Sequence, residues 1–436
     1  MKKPKKNYWE ERSRMSNIPK LRFLEFSGEW EEKNFYEVFD ILQNNTFSRD
    51  QLNNENGIVR NIHYGDVLIK YGDYIDCQKE KLPFINLENN LSKYEDTSYV
   101  KNGDIIIADT AEDYTAGKVT EICNVKDYKI LSGLHTFLCR TKFEFASKFL
   151  GYKLNSSSYH NQIAPLVAGT KVYSINRKAI GETTITYPSK AEQQKIADFL
   201  SNVDSIITAE TKILNTLQKK KKALMQKLFT QQLRFKSDDG KDFPAWEEKK
   251  LGDVCNVLSG KRVPKGNKLT SVNTGLKYIT VSDMGDKFVS NKDIKYITQE
   301  IETKIKKYKV ITGDIIISVA GTLGKVNIIT EEFNNANLTE NCDKLTEFNG
   351  CITEYLFYFL QSEKFLDEIN RIKTSSAQPK LALDRLRIFV IPIPIIEEQQ
   401  KIADCLSSID SLIQTQQKVV TTWQQRKKAL LQQMFI

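Results

Sequence analysis

The sequence predicts two α+β modules, each followed by a long helix, with the two helices pairing as an antiparallel coiled coil about an internal pseudo-two-fold axis. Three observations predict this. A block near the middle of the chain recurs at its end, the block carries a heptad of apolar residues, and the stretches ahead of each copy break into short β-branched runs.

Residues Pro188 to Phe229 align without gaps to Pro394 to Phe435, with roughly half the positions identical. The first copy opens Glu192-Gln193-Gln194-Lys195-Ile196-Ala197-Asp198 and closes Lys221-Lys222-Ala223-Leu224. The second opens Glu398-Gln399-Gln400-Lys401-Ile402-Ala403-Asp404 and closes Lys427-Lys428-Ala429-Leu430. Weaker echoes link the regions between. Leu21-Arg22-Phe23 answers Leu233-Arg234-Phe235, and Trp30-Glu31-Glu32-Lys33 answers Trp246-Glu247-Glu248-Lys249. Gly103-Asp104-Ile105 answers Gly313-Asp314-Ile315, and Gly117-Lys118-Val119 answers Gly324-Lys325-Val326. The chain therefore divides into a first module (1–187), a first long helix (188–232), a second module (233–393) and a second long helix (394–436). The modules differ far more than the helices, as expected of one frame holding two different readers.

The helix interface is read from the heptad. Ile196, Leu200, Val203, Ile207, Leu214, Leu217 and Leu224 form one apolar stripe; Ile402, Leu406, Ile409, Ile413, Val420, Trp423 and Leu430 form its counterpart. Ser189, following Pro188 and three residues ahead of Glu192, has the spacing of a capping box. Carboxylates start each helix and cations finish it, which suits the helix dipole. A rod of about 60 Å with one apolar stripe is not stable alone, and its natural mate is its twin. The stripe breaks at Glu210 and at the equivalent Gln416. In an antiparallel pair these either face each other, fixing register, or point to solvent at an imperfect heptad. The Lys219 to Lys222 run reads first as a solvated helix end and second as a phosphate or partner contact.

In the modules, Val67 to Ile69, Asp104 to Ala108, Ile185 to Tyr187, Lys277 to Val281, Asp314 to Val319 and Ile388 to Ile393 read as strands. Phe145 to Leu154 and Glu354 to Ile369 read as amphipathic helices. Polar and cationic loops between them supply candidate DNA contacts. In the first module these are Asn45, Ser48, Arg49, Lys70, Lys118, Thr170, Lys171 and Arg177. In the second they are Lys261, Arg262, Lys265, Lys268, Lys325, Ser376, Gln378, Lys380 and Arg385. An ordinary solvated loop is the competing reading for each one singly.

With 64 Lys and Arg against 55 Asp and Glu, the net charge of +9 is compatible with a polyanionic partner. Seven scattered cysteines without a CxxC pair and three distant histidines argue against a disulfide framework or a metal site. Without a membrane-length apolar run or a secretory signal, a cytoplasmic location is expected. Catalytic signatures are missing too. There is no Asp/Asn-Pro-Pro-aromatic motif and no Gly-Lys-Ser/Thr P-loop, and the two Glu-x-Lys tails at Lys33 and Lys249 have no Pro-Asp partner upstream.

Over essentially its whole length this layout resembles the specificity subunits of Type I restriction–modification systems. The resemblance rests on the two P-x3-EQQKIAD helices, the GDIII strands followed by Gly-Lys-Val, and the module–helix–module–helix order. It implies that each module is a target recognition domain reading one half of a split duplex DNA site. The helices would serve as spacer and as docking surface for two methyltransferase subunits, which restriction–translocase subunits join. S-adenosylmethionine, ATP and Mg2+ would be used by those partners, with no cofactor and no catalytic site on this chain. The first module lacks the Ser259-Gly260-Lys261-Arg262-Val263-Pro264 type of loop and has Ile62-His63-Tyr64-Gly65-Asp66-Val67, implying different half-sites. The rival is a coiled-coil assembly scaffold that never touches DNA; salt-sensitive duplex binding separates the two.

Overall fold

The heptads form helices without interruption, Lys190–Phe229 and Ile396–Met434, in a computed structural model that describes residues 17–113, 115–169, 172–374 and 380–436. Neither helix belongs to one module alone. One compact unit takes residues through Thr211 together with Lys418–Ile436, and the other takes Lys212–Gln417. Each unit thus holds a module, the start of one helix and the end of the other.

Within the first unit the two helix segments run antiparallel. Lys427 pairs with Asp204 at 2.5 Å, and Met434 shares a core with Ile196 and Leu200. The second unit repeats this: Lys221 pairs with Asp410 at 2.6 Å, and Met225 and Leu228 share a core with Ile402 and Leu406. Every apolar residue assigned to the stripes is buried or half-buried, and so are Glu210 and Gln416. The stripe has a second polar position, however, at Lys221 and Lys427. Lys221 is not part of a solvated helix end: it is mostly buried on Asp410, with its ammonium 5.2 Å from the Tyr358 ring centroid.

The repeated Glu-Gln pair fastens each helix to its module. Glu192 does not complete a capping box, because Arg22 takes its carboxylate through two bonds of 2.7 and 2.8 Å. Arg234 holds Glu398 in the same way at 2.7 and 3.0 Å, which explains the Leu-Arg-Phe echo. The Gln193 side chain accepts from Ala146 N–H and donates to Pro188 O; Gln399 accepts from Ile352 N–H and donates to Pro394 O. The Trp-Glu-Glu-Lys echo is a strand. Glu31–Asn34 pairs antiparallel with Thr184–Tyr187, and Glu247–Lys250 with Val390–Ile393.

The first module is built on a five-stranded sheet in the order Phe39–Leu42, Thr136–Thr141, Ile105–Ala108, Val119–Cys123, Tyr74–Asp76. A four-stranded sheet lies beside it, with Ile130–Ser132 parallel to Arg60–Ile62. The second module reduces the plan to four strands, Asn256–Ser259, Cys342–Thr346, Ile315–Ser318 and Val326–Ile328, plus a three-stranded sheet centred on Lys277–Ile279. The Gly-Asp-Ile motif starts the central strand in both. Gly103 and Gly313 take φ of +83° and +89°, open to glycine. The following aspartates cap the turn, accepting from Lys101 N–H at 2.7 Å and Ile311 N–H at 2.9 Å.

Two local assignments change. Val67 to Ile69 lies in a helix, Tyr64–Ile69, not a strand; a three-residue apolar run does not distinguish the two periods. Glu354 to Ile369 is two helices, Thr353–Phe359 and Glu363–Thr374, rather than one. Six cysteines are buried, and burial pushes the Cys77 and Cys342 thiols up to about 12, far from reactive thiolates.

Candidate nucleic-acid interface

Three backbone hydrogen bonds recur in both modules and put their loops in register. Asp109 N–H donates to His135 O at 3.1 Å, as Val319 N–H does to Asn341 O at 2.8 Å. Gly133 N–H reaches Ile62 O at 2.9 Å, as Thr339 N–H reaches Ile279 O at 3.0 Å. Asn45 N–H donates to Ser132 O and Lys261 N–H to Leu338 O, both at 2.8 Å. The Gly260-Lys261-Arg262 loop of the second module therefore has a counterpart in the first, at Asn44 to Arg49. Ile62-His63-Tyr64 is not its replacement, as the sequence suggested, but the counterpart of Ile279-Thr280-Val281.

In the second module these segments frame a cleft at the end of the central sheet, lined by Val281, Ser282, Ala320, Gly321, Thr322, Lys325 and Asn341. Lys380 joins its rim through a backbone bridge to Ala320. In the first module the corresponding place holds His63, Tyr64, Thr110 and His135. The His63 and Tyr64 rings lie 4.5 Å apart, Tyr64 meets His135 edge-on at 5.3 Å, and His135 Nδ1 is 3.4 Å from both Asp109 and Thr110 Oγ1. Arg49 grips Asp66 with bonds of 2.9 and 3.0 Å beside Gly65. Burial, with Arg49 nearby, holds the His63 imidazole below its ordinary range, favouring the neutral ring whose Nδ1 accepts Gly65 N–H.

The predicted contacts divide into those free to meet a ligand and those spent on the fold. Asn45 is corrected to a structural role: it is fully buried, donating to Asn61 Oδ1 and Ser132 O and accepting from Phe47 N–H. Lys118 is corrected likewise, since its ammonium binds the carbonyls of Leu68 and Tyr71 at 2.8 and 3.0 Å, and burial lowers its pKa. Lys325 donates to Met284 O while still lining the cleft. Ser48 caps the turn Arg49–Gln51, and Arg385 pairs with Glu368 at 2.9 Å. Lys70 is exposed but donates to Lys81 O at 3.0 Å, while Arg177, Lys261, Lys265, Lys268 and Lys380 are exposed. Arg262 is exposed too, but on Glu340, an ion pair of the weak surface kind. Thr170, Lys171, Ser376 and Gln378 lie outside the described residues.

Both modules match the Type I restriction modification DNA specificity domain, over residues 27–219 and 245–422. The chain belongs to that family of specificity proteins. It is 26% identical to the Type I restriction enzyme MjaVIII specificity subunit of Methanocaldococcus jannaschii, covering 84% of this chain and 90% of that one. A second specificity subunit from that organism, the putative MjaX subunit, is 24% identical over 95% of each chain. Two solved structures share the fold at 18% identity. The S subunit of a Type I system from M. genitalium has a TM-score of 0.53, covering 96% of this chain and 99% of its own. A chain described for the complex assembly and conformational transition of the type I R-M system has 0.57, with 94% and 98% covered.

As a specificity protein the chain works through DNA target recognition, and sequence reasoning passed over Ser282, Thr322 and Asn341 in the second-module cleft and Thr110 and His135 at the corresponding place of the first. A signal existed. The offset between the two helix copies also carries His135 onto Asn341. Among the described residues no cluster of three His, Cys, Asp or Glu could hold a metal, and no helix is long and apolar enough to cross a membrane. One prediction concerns the loop. Replacing Lys265 and Lys268 with alanine should weaken duplex binding equally on all sequences and lower the salt slope by about one for each phosphate no longer neutralised. An unchanged slope in a salt titration would remove both residues from the interface.

Proposed function

We propose that this specificity protein reads a split duplex target, one half with each module, while the long helices set the distance between halves and carry two methyltransferase subunits. Restriction–translocase subunits join that assembly. S-adenosylmethionine, ATP and Mg2+ act on the partners, and this chain supplies recognition without catalysis. The supporting observation is the backbone register that the two modules share: one plan presents His63, Tyr64 and His135 in one module and Thr280, Val281 and Asn341 in the other. A shared frame with different side chains at its mouth suits two independent base readers.

Docking has support on the helices. In the first unit, Phe199, Val203, Ile206, Trp423 and Leu430 line an open apolar hollow, with Phe199 exposed and Arg426 stacked on Trp423 at 5.1 Å. Exposed apolar surface of this sort, rimmed by polar side chains, is suited to a protein partner.

Exchange of the first module, residues 20–187, for that of another family member is the direct test. The methylated motif of cells carrying the chimera should keep one half and change the other. A change in both halves would end the one-module, one-half-site reading.

A further inference from the structure

The two modules differ most usefully at one place, the residue that enters the strand paired with the Gly-Asp-Ile strand. Asn341 occupies it in the second module and His135 in the first, each with its carbonyl held by the same backbone hydrogen bond. Asn341 is half-buried in the cleft wall, and its carboxamide has no hydrogen-bond partner among the described residues. That amide holds two donors and an acceptor in one plane. Partly desolvated polar groups without partners cost stability, so such a side chain is suited to a ligand that completes its bonds. Ser282 and Thr322 line the same cleft, and Gly321 turns there at φ +73°. Cations flank the opening: Lys325 in the wall, Lys380 next to Ala320, and Arg262 on Glu340. This arrangement suits the edge of a base held between two phosphate strands.

His135 offers different chemistry from the same position. Its Nδ1 faces Asp109 and Thr110, leaving Nε2 as the ring nitrogen available to a ligand, and the ring is supported by Tyr64. A residue fixed by sheet hydrogen bonds and varied in chemistry between modules is placed to determine specificity rather than to build the fold.

Resting on the half-site reading above, we propose that Asn341 is a base-reading residue of the second module, pairing through its carboxamide with the N6 and N7 edge of an adenine, and that His135 holds the corresponding place in the first module. Asparagine matches adenine because it supplies one acceptor and one donor to that edge, whereas a carboxylate matches the cytosine N4 donor.

The test is selection of bound duplexes from a randomised library by the full chain in its native complex, comparing wild type with Asn341→Asp, Asn341→Ala and His135→Ala. Wild type should select a split motif. Asn341→Asp, which keeps the shape of the side chain, should change one adenine to cytosine in one half and leave the other half intact. Asn341→Ala should make that position degenerate and weaken binding to the original site by about 5- to 150-fold. His135→Ala should relax one position in the opposite half. Thermal unfolding of each variant separates misfolding from lost readout, and the isosteric aspartate decides if the alanine variant unfolds. An unchanged motif from a folded Asn341→Asp protein overturns the assignment while leaving the half-site reading in place. Loss of both half-motifs from a folded variant also overturns it, because removing one reader should leave the other legible. A wild-type protein that selects no split motif would instead overturn the half-site reading itself.

Discussion

Replacement of Lys427 by alanine is expected to destabilise the first unit by about 3 kcal/mol, the scale of breaking a buried ion pair. That corresponds to a fall of about 6–12 °C in its unfolding midpoint for a unit of this size. Lys427 bonds Asp73 at 2.6 Å and Asp204 at 2.5 Å, under the Tyr152 ring at 5.3 Å, and all three charged side chains are about a fifth exposed or less. Burial pulls its pKa down, but the two carboxylates outweigh burial and raise it. A lysine raised in the folded state contributes fully below its unfolded pKa and loses that contribution only as pH climbs through the folded value. The destabilisation should therefore be undiminished at neutral pH and shrink only in strongly alkaline solution. Lys221→Ala should cost less, because Lys221 pairs with one carboxylate rather than two and a second cation, Lys287, lies 3.4 Å from the Tyr358 hydroxyl that bonds Asp410. Exposed Lys428 is the control, expected within about 0.5 kcal/mol of wild type. If Lys427→Ala and Lys428→Ala melt together, the ion pairs of Lys427 with Asp73 and Asp204 do not stabilise the unit.

Inserting four residues after Glu210 and four after Gln416 should make the complex prefer a target spacer longer by one or two base pairs, with both half-sites unchanged. Each insertion adds about 6 Å and slightly more than one turn, nearly preserving the apolar stripe, while duplex DNA advances about 3.4 Å per base pair. Both helices are needed, since each runs from one compact unit into the other. Lengthening one alone sets the two connections against each other, and that variant should lose stability without a new spacer preference. The readout is the methylated motif of cells carrying each form. A double insertion that assembles and still methylates the original motif would show that the helices do not set the spacing.

The helices were legible because burying one stripe of a long rod imposes a repeat on the sequence. Their predicted bounds, 188–232 and 394–436, bracket the observed Lys190–Phe229 and Ile396–Met434. Polar positions inside the stripe were harder to read. Lys221 and Lys427 look like solvated charges until Asp410, and Asp73 and Asp204, arrive from distant segments. The first-module ring cluster was hidden for a related reason: Tyr64, Thr110 and His135 share no local pattern, and folding alone gathers them.

By itself, residue spacing determined the duplicated frame and the two long helices, because periodicity and repetition are written along the chain, and the EQQKIAD and GDIII motifs carried the resemblance to DNA specificity subunits. Only the tertiary structure decided which polar side chains remain for a ligand. Asn45 is spent on Ser132, 87 residues away, and Lys118 on Leu68, 50 residues away, while Lys265 and Asn341 are not spent at all among the described residues. The physical reason is that a buried polar group must find a hydrogen-bond partner, and that partner is chosen by folding rather than by neighbourhood in sequence.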